Sequence, residues 1–187
     1  MMGYTNKIIK EKESSVVTLQ QAKQQLNIEE DFKDDDAHIL FLINTATSMA
    51  EDFTGIDVAF TKNTQEFVDF IGGSIIFREA PLVHVESITV TDNEGNEIIV
   101  PEEEYTIRTR RTDFMIEFEN TISYDKVVVV FYTGFDIEEV PYQIQAAVLV
   151  KVNDLYDIER TSYIVGSNFK DNRTFERLLS SFVINRW

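Results

Sequence analysis

The chain contains no cysteine, which removes disulfide frameworks, thiolate metal sites and cysteine nucleophiles together. No apolar run approaches the roughly 18 residues that read as a membrane span. The opening stretch MMGYTNKIIKEKESS carries charges without the apolar segment of a signal peptide. A soluble protein of intracellular origin is therefore expected. Positive charge is scarce: 17 Lys and Arg face 33 Asp and Glu, giving a net charge of −16. Such a surface repels phosphate backbones over a Debye length of about 8 Å at physiological salt, which disfavours tight duplex binding. The same sign of charge suits a passage through which DNA slides without sticking. No P-loop, GxGxxG or GxSxG occurs, although Gly72-Gly73 precedes Ser74, so nucleotide and acyl chemistry lack their usual carriers. Internal repeats and low-complexity tracts are absent too.

What is present is enough to build a core. Apolar residues make up 43% of 187, and 14 Phe and 7 Tyr supply large surfaces for burial. That length suits one domain, or one domain carrying an insertion. Residues 1–16 are polar and unpatterned, and read as a flexible arm. Thr18 with Gln21 forms a capping-box pattern opening a helix through about Leu26, marked by Leu19, Ala22 and Leu26. After the acidic linker NIEEDFKDDD, the residues Ile39, Leu42, Ile43, Ala46, Met49, Ala50 and Phe53 trace one face of a second helix. Asp34, Asp35 and Asp36 sit at its dipole-positive start, and Gly55 is its natural stop.

From Phe60 to Gly134 the period changes to two. Thr64 to Phe70, Ser74 to Phe77, Val83 to Val90, Glu97 to Val100, Tyr105 to Arg110, Phe114 to Phe118 and Lys126 to Thr133 read as seven short strands. A hairpin turn is expected within Asp92 to Asn96. The run VVVVFYT (127–133) reads as a central strand covered on both faces by helices. Pro141 opens a third helix at a position where its missing amide is harmless. Ile144, Val148, Val152, Leu155 and Ile158 share that helix's face, and a short amphipathic turn with Phe175, Leu178, Leu179 and Phe182 follows.

The sharper chemical readings give way to plainer ones. His38 beside Asp34, Asp35 and Asp36 suggests a metal site, yet consecutive acids cannot converge from one helix and the EF-hand pattern is missing. These are helix-start acids. His84 has no nucleophile partner in its strand pattern. Glu102, Glu103, Glu104, Glu117 and Glu119 offer carboxylate pairs for glycoside hydrolysis, but with so many acids such pairs arise by chance and read as a solvated strand face. No catalytic, cofactor or metal site is expected. Two basic groups stand out. Arg160, Lys170, Arg173, Arg177 and Arg186 make the end of the chain locally positive, with Trp187 as a terminal aromatic, and Arg108, Arg110 and Arg111 cluster in the middle.

The ordered set of these features resembles the head-tail connector (head-completion, adaptor) proteins of tailed bacteriophages. Thr18, Leu19, Ala22, Lys23 and Leu26 give a Thr-Leu-x-x-Ala-Lys-x-x-Leu opening, followed by a helix bearing Ala46, Glu51 and Thr54-Gly55. Pro81, Val83, Val85 and Val90 open a strand, Gly95 sits in a turn, Tyr105 restarts a strand, and VVVVFYTGF ends in glycine. Pro141, Ile144, Ala146, Ala147, Leu155, Tyr156 and Glu159-Arg160 are similar to the family's C-terminal helix and read as the strongest part of the resemblance. Leu178, Leu179 and Arg186 resemble its closing Leu-Leu-x-x-x-Arg, with extra residues before the arginine.

The resemblance implies an α+β fold: a helical connector core of two N-terminal helices, one long C-terminal helix and a short terminal helix, with an inserted antiparallel β-sheet. Its expected layout is a flexible arm over 1–16, one connector domain over 17–182 (helical 17–55 and 141–182, β-rich 60–134) and a C-terminal tail over 183–187. It implies a structural rather than catalytic role: a homo-oligomeric ring of about a dozen copies beneath the portal at the virion neck, assembled in the bacterial cytoplasm. The implied partners are the portal protein and a tail or stopper protein, with DNA only as passing cargo and no membrane. Arg173, Arg177, Arg186 and Trp187 become candidates for portal or subunit binding. Arg108, Arg110 and Arg111 become candidates for the channel or for neighbouring subunits' acids. The competing readings are another neck or tail structural protein, and a stand-alone acidic module that mimics DNA.

Overall fold

The computed structural model describes the backbone of residues 4–160 and 173–184, and the side chains of 8–156 and 173–184. The chain divides into two compact units: residues 4–13 with 60–134, and residues 14–59 with 135–160 and 173–184.

The second unit is helical. Helix α1 spans Leu19–Gln25, and its cap is the expected one: the Gln21 amide donates to Thr18 Oγ1 (3.1 Å) while the Thr18 amide donates to Gln21 Oε1 (2.8 Å). Two of the amides left over at the helix start are thereby satisfied. Thr18→Ala is expected to cost about 1 kcal/mol, read as a lowered denaturation midpoint at unchanged slope. Helix α2 spans Asp36–Thr54 and buries Ile39, Leu42, Ile43, Ala46 and Ala50 of the expected face, whereas Met49 and Phe53, read as part of that face, lie at its margin and are exposed. It stops at Gly55, whose φ of 75° is left-handed and whose amide donates to the Glu51 carbonyl. A β-carbon at Gly55 would also lie 3.2 Å from Ile184 Cγ1, a contact that side chain would have to ease, but it is the left-handed φ that calls for glycine. Helix α3 spans Tyr142–Arg160 and buries Ile144, Ala147, Val148, Val152 and Tyr156. Pro141 precedes it, its carbonyl accepting from the amides of Ile144 and Gln145. Helix α4, Thr174–Leu179, turns Phe175 and Leu179 inward. The core lies where α1, α2 and α3 meet, with α4 packed on α2 and α3.

Two details correct the reading of the chain's ends. Residues Tyr4–Lys12 are not a flexible arm but a strand, β1, paired antiparallel with β2. Nor does the free tail begin at 183: Ile184 is buried, and its amide donates to the Thr54 carbonyl at 2.9 Å. The helix terminus leaves that carbonyl without an intrahelical donor, and the returning chain supplies one.

The first unit is a six-stranded antiparallel sheet: β1, β2 (Thr61–Phe77), β3 (Leu82–Thr91), β4 (Glu97–Ile99), β5 (Tyr105–Thr109) and β6 (Phe114–Thr133). The order is β1-β2-β6-β3-β4, with β5 paired to the beginning of β6. Four of the expected short strands are halves of β2 and β6, which pair from Thr61↔Thr133 to Phe77↔Phe114. This long ribbon folds back upon itself. Phe67 and Phe77 both lie on β2, yet their ring centroids are 5.8 Å apart, where ten residues of straight strand would span about 33 Å. Phe114 and Phe131 of β6 approach to 5.0 Å in the same way. The fold-over lies near Gly72, where the register skips between Gly72↔Ile122 and Ser74↔Glu117 and β6 carries the surplus residues.

The inside of the folded ribbon is the unit's own core, with Phe67, Phe70, Ile75, Phe77, Ile88, Val90, Phe114, Ile116, Phe118, Val127, Val129 and Phe131 buried together. Val127, Val129 and Phe131 are thus covered by other strands, and the expected cover by helices is not what buries them. Val128, Val130 and Tyr132 on the other face are only half-buried. The predicted turn forms as read: the Asp92 carboxylate accepts from the amides of Glu94 and Asn96 and from the Asn96 side chain, and Gly95 takes φ 86°. These donors, the Asn96 side chain foremost, hold the Asp92 carboxyl below its usual range.

Candidate interaction surfaces

Of the four C-terminal candidates, Arg173 and Arg177 are exposed at the start and in the last turn of α4. Arg186 and Trp187 lie outside the described residues. The central arginines are exposed but engaged within their own chain. Arg108 on β5 reaches Glu117 on β6 at 2.6 Å, and Arg110 just beyond β5 approaches Asp113 at 3.9 Å. Arg111 occupies the turn between β5 and β6 and has an interaction of its own. Arg108 therefore already meets the kind of acid that a neighbouring copy was expected to supply. Exposed pairs of this sort contribute little to stability.

Each histidine lies beside a tyrosine. His38 lies 6.1 Å from Tyr156, whose hydroxyl donates to Asp35 at 2.6 Å. His84 stacks on Tyr132 at 4.6 Å, and Phe60 lies 5.0 Å from the same ring. Lys62 sits over Tyr132 and pairs with Glu86 at 2.8 Å. That hydrogen bond is the main reason the Glu86 carboxyl is held low and the Lys62 ammonium high. The pair's contribution is present between those two limits; it is lost as pH falls through the lowered Glu86 value or rises through the raised Lys62 value. Among the described residues no three His, Asp or Glu side chains gather closely enough to hold a metal ion, and no helix is long and apolar enough to cross a membrane.

Two anchors escaped functional attention in the sequence. Lys23 is buried, donating to the carbonyls of Phe32 (2.7 Å) and Glu30 (3.1 Å) and pairing with Asp36 at 2.5 Å. It ties the acidic linker to α1. Glu51 accepts from the amides of Val58 and Ala59 at 3.2 and 3.3 Å, fixing the exit from α2. Both positions belong to the motif that the resemblance singled out; the motif names them, and burial and hydrogen bonding supply the reason.

The surface also shows large apolar side chains, including Phe41 at 65%, Ile99 at 70% and Tyr142 at 87% exposure. On α2, Phe41, Met49 and Phe53 recur every fourth or eighth residue as an exposed stripe. Such side chains suit burial by partner surfaces rather than any chemistry.

The family model described as "Phage gp6-like head-tail connector protein" matches residues 16–123. The chain belongs to that family. The match takes in α1, α2 and β2 through β5 and stops within β6, so the sheet is part of the pattern, and the family signal does not rest on the C-terminal helix. No curated protein sequence matches the connector. Among solved structures, a chain in "Neck of empty GTA particle computed with C6 symmetry" is 15% identical with a TM-score of 0.74, and the alignment covers 96% of this chain and 97% of that one. A chain in "Virion of native gene transfer agent (GTA) particle" is 14% identical with a TM-score of 0.73 at the same coverage. A third, in "Neck of native GTA particle computed with C12 symmetry", gives 15% and 0.71, again over 96% and 97%. At these identities the likeness is one of fold, and it spans the helical and sheet-bearing parts alike. The connector is a structural protein rather than an enzyme.

Proposed function

We propose that this connector works at the neck of a phage-like particle as one subunit of a closed ring of about a dozen copies. The ring is seated beneath the portal, continues the DNA channel and offers a docking surface to a tail or stopper protein. The observation that carries this reading is the family match over residues 16–123 together with the full-length fold likeness to chains of particle necks. One of those necks was computed with twelvefold symmetry. In this reading the α1 to α4 unit is the connector core and the sheet unit is its inserted β-rich part. A closed head-to-tail ring requires two different, complementary flanks on each subunit, and the exposed apolar side chains are the material for such contacts. The net charge of −16 lets DNA pass a ring without being held by it. Arg173, Arg177, Arg186 and Trp187 are the proposed contacts to the portal, as long cationic arms and an aromatic anchor are enriched where binding energy concentrates.

Mass measurement in solution tests the reading. With the cognate portal present, the connector is expected to join a complex whose added mass corresponds to a closed ring. A variant lacking 185–187 and carrying Arg173→Ala and Arg177→Ala is expected to keep its fold and bind the portal at least about tenfold more weakly, the effect of losing one strong contact site. A chain that stays monomeric and unbound beside its portal overturns the proposal.

A further inference from the structure

Two helices of the core turn a second face outward, and neither of those faces is charged. Residues 37–50 of α2 and 142–150 of α3 contain no Asp, Glu, Lys or Arg, in a chain of which 27% is charged. Burial accounts for the inward half of each stretch only, because the outward half of an amphipathic helix ordinarily carries the charge. Away from the buried Ile39, Leu42, Ile43 and Ala46, α2 exposes Leu40 and Phe41 at 45% and 65%, with the exposed Asn44, Ser48 and Met49 beside them. Away from the buried Ile144, Ala147 and Val148, α3 carries Tyr142, 87% exposed, and the half-buried Ala146, Leu149 and Val150. A helix that is apolar on both sides is one that something covers.

Helices α2 and α3 pack on each other through their buried faces, so the two outward faces look to different sides of the helical unit. Charge decides what can lie against them. Copies that each carry −16 repel wherever acids meet acids, and like charges set opposite one another across an interface are costly. A second copy can approach closely where neither surface is charged. Depleted charge with Phe, Met and Tyr present is also the composition of an interface centre. A portal would need one such face on each subunit. A closed head-to-tail ring needs two different ones, and the helical unit has two.

We infer that the outward face of α2 on one copy packs against the outward face of α3 on the next, as the ring contact of the helical unit. The inference rests on the ring reading above and names the surfaces that close it. At a helical rise of about 1.5 Å per residue the two uncharged stretches run about 20 and 13 Å, enough for helix-on-helix packing over two turns. Leu40 and Phe41 are the large side chains of this contact. Ala146, one turn from Tyr142 and one from Val150 on α3, leaves the hollow that receives them.

Because the chain has no cysteine, a thiol introduced into the full-length connector is the only one in its copy. Asn44→Cys and Gln143→Cys place one at an exposed position on each face. The two variants are mixed, assembled on the portal and treated with a short bismaleimide. Cross-linked pairs joining one variant to the other are the expected result, with none from either variant assembled alone. Phe41→Asp and Tyr142→Asp, both at exposed positions, should each lower the assembled fraction at least about tenfold by forcing a charge into the contact, with circular dichroism unchanged. Cross-links from Asn44→Cys to a second Asn44→Cys copy or to the portal overturn the proposed contact and leave the ring reading intact. So do rings that are indifferent to both aspartate substitutions. Absence of any assembly by the unaltered chain overturns both.

Discussion

Replacing Phe131 by alanine is expected to destabilise the sheet unit by about 3–5 kcal/mol, the range for a large aromatic removed from a packed core. Phe131 is fully buried, and its ring meets Phe77 and Phe114 edge-on, each at 5.0 Å, while those two stack at 4.5 Å and 4°. These three rings join the two ends of the folded ribbon. Alanine leaves a cavity that the flanking strands cannot close without breaking the β2–β6 ladder, and edge-to-face pairs add about 0.5–1.5 kcal/mol beyond area burial. Against a typical domain stability of about 5–15 kcal/mol, that loss is a substantial fraction. Urea denaturation followed by far-ultraviolet circular dichroism measures the total, and hydrogen exchange places it: amides of β2, β3 and β6 should lose protection most. Phe131→Leu keeps much of the volume and should cost less, whereas Ile99→Ala, at an exposed edge, should stay within about 0.5 kcal/mol. Equal losses for Phe131→Ala and Ile99→Ala would refute the folded-ribbon core.

Lys23→Ala is expected to cost about 1–3 kcal/mol, as leaving part-buried acceptors without their donor does. The ammonium satisfies the carbonyls of Glu30 and Phe32 and the carboxylate of Asp36 at once. Its removal leaves acceptors without their donor at a part-buried place, where water replaces some of what is lost because Glu30 and Phe32 are exposed. The damage should be local first: limited proteolysis ought to cut within residues 27–35 at protease concentrations that leave the parent chain whole. Lys23→Met keeps the apolar stem but not the charge, so a loss similar to that of alanine would assign the effect to the ammonium. A near-neutral methionine variant would assign it to packing instead.

The helices were legible because each carried local punctuation. Thr18 with Gln21, Gly55 after α2 and Pro141 before α3 are chemical signals tied to backbone groups that a helix end leaves bare, and most of the α2 buried face followed from spacing, Met49 and Phe53 excepted. The sheet was legible in its turns and alternating runs but not in its extent. Gly72-Gly73 and the surplus residues of β6 interrupt the apolar alternation, so the sequence suggests two strands where the hydrogen-bonded ladder resumes across a bend. Strand β1 was invisible for a different reason. From Ile8 to Lys12 both its faces are exposed, so no alternation is needed there, and YTNKIIKEK carries none. Lys23 shows a third limit, since a lysine in a short helix looks solvated until three oxygen partners from a later loop are in place around it. Of the proposed contact residues, the sequence located the exposed arginines of α4 but placed the start of the tail too early, because nothing in Val183-Ile184 announces a bond to the end of α2.

The pairing of Thr61 with Thr133 bears on how the helical unit comes together. Helices α2 and α3 lie on either side of residues 60–134, and closing so long a segment as a slack loop would cost about 4 kcal/mol in chain entropy. Once the ribbon has zipped, its two ends emerge side by side, so that Ala59 bridges Phe135 and the Phe135 amide reaches the Val58 carbonyl. The inserted strands thus act as a clasp: whatever loosens the zip near Thr61 and Thr133 should slow the meeting of α2 with α3 without touching a residue of either helix.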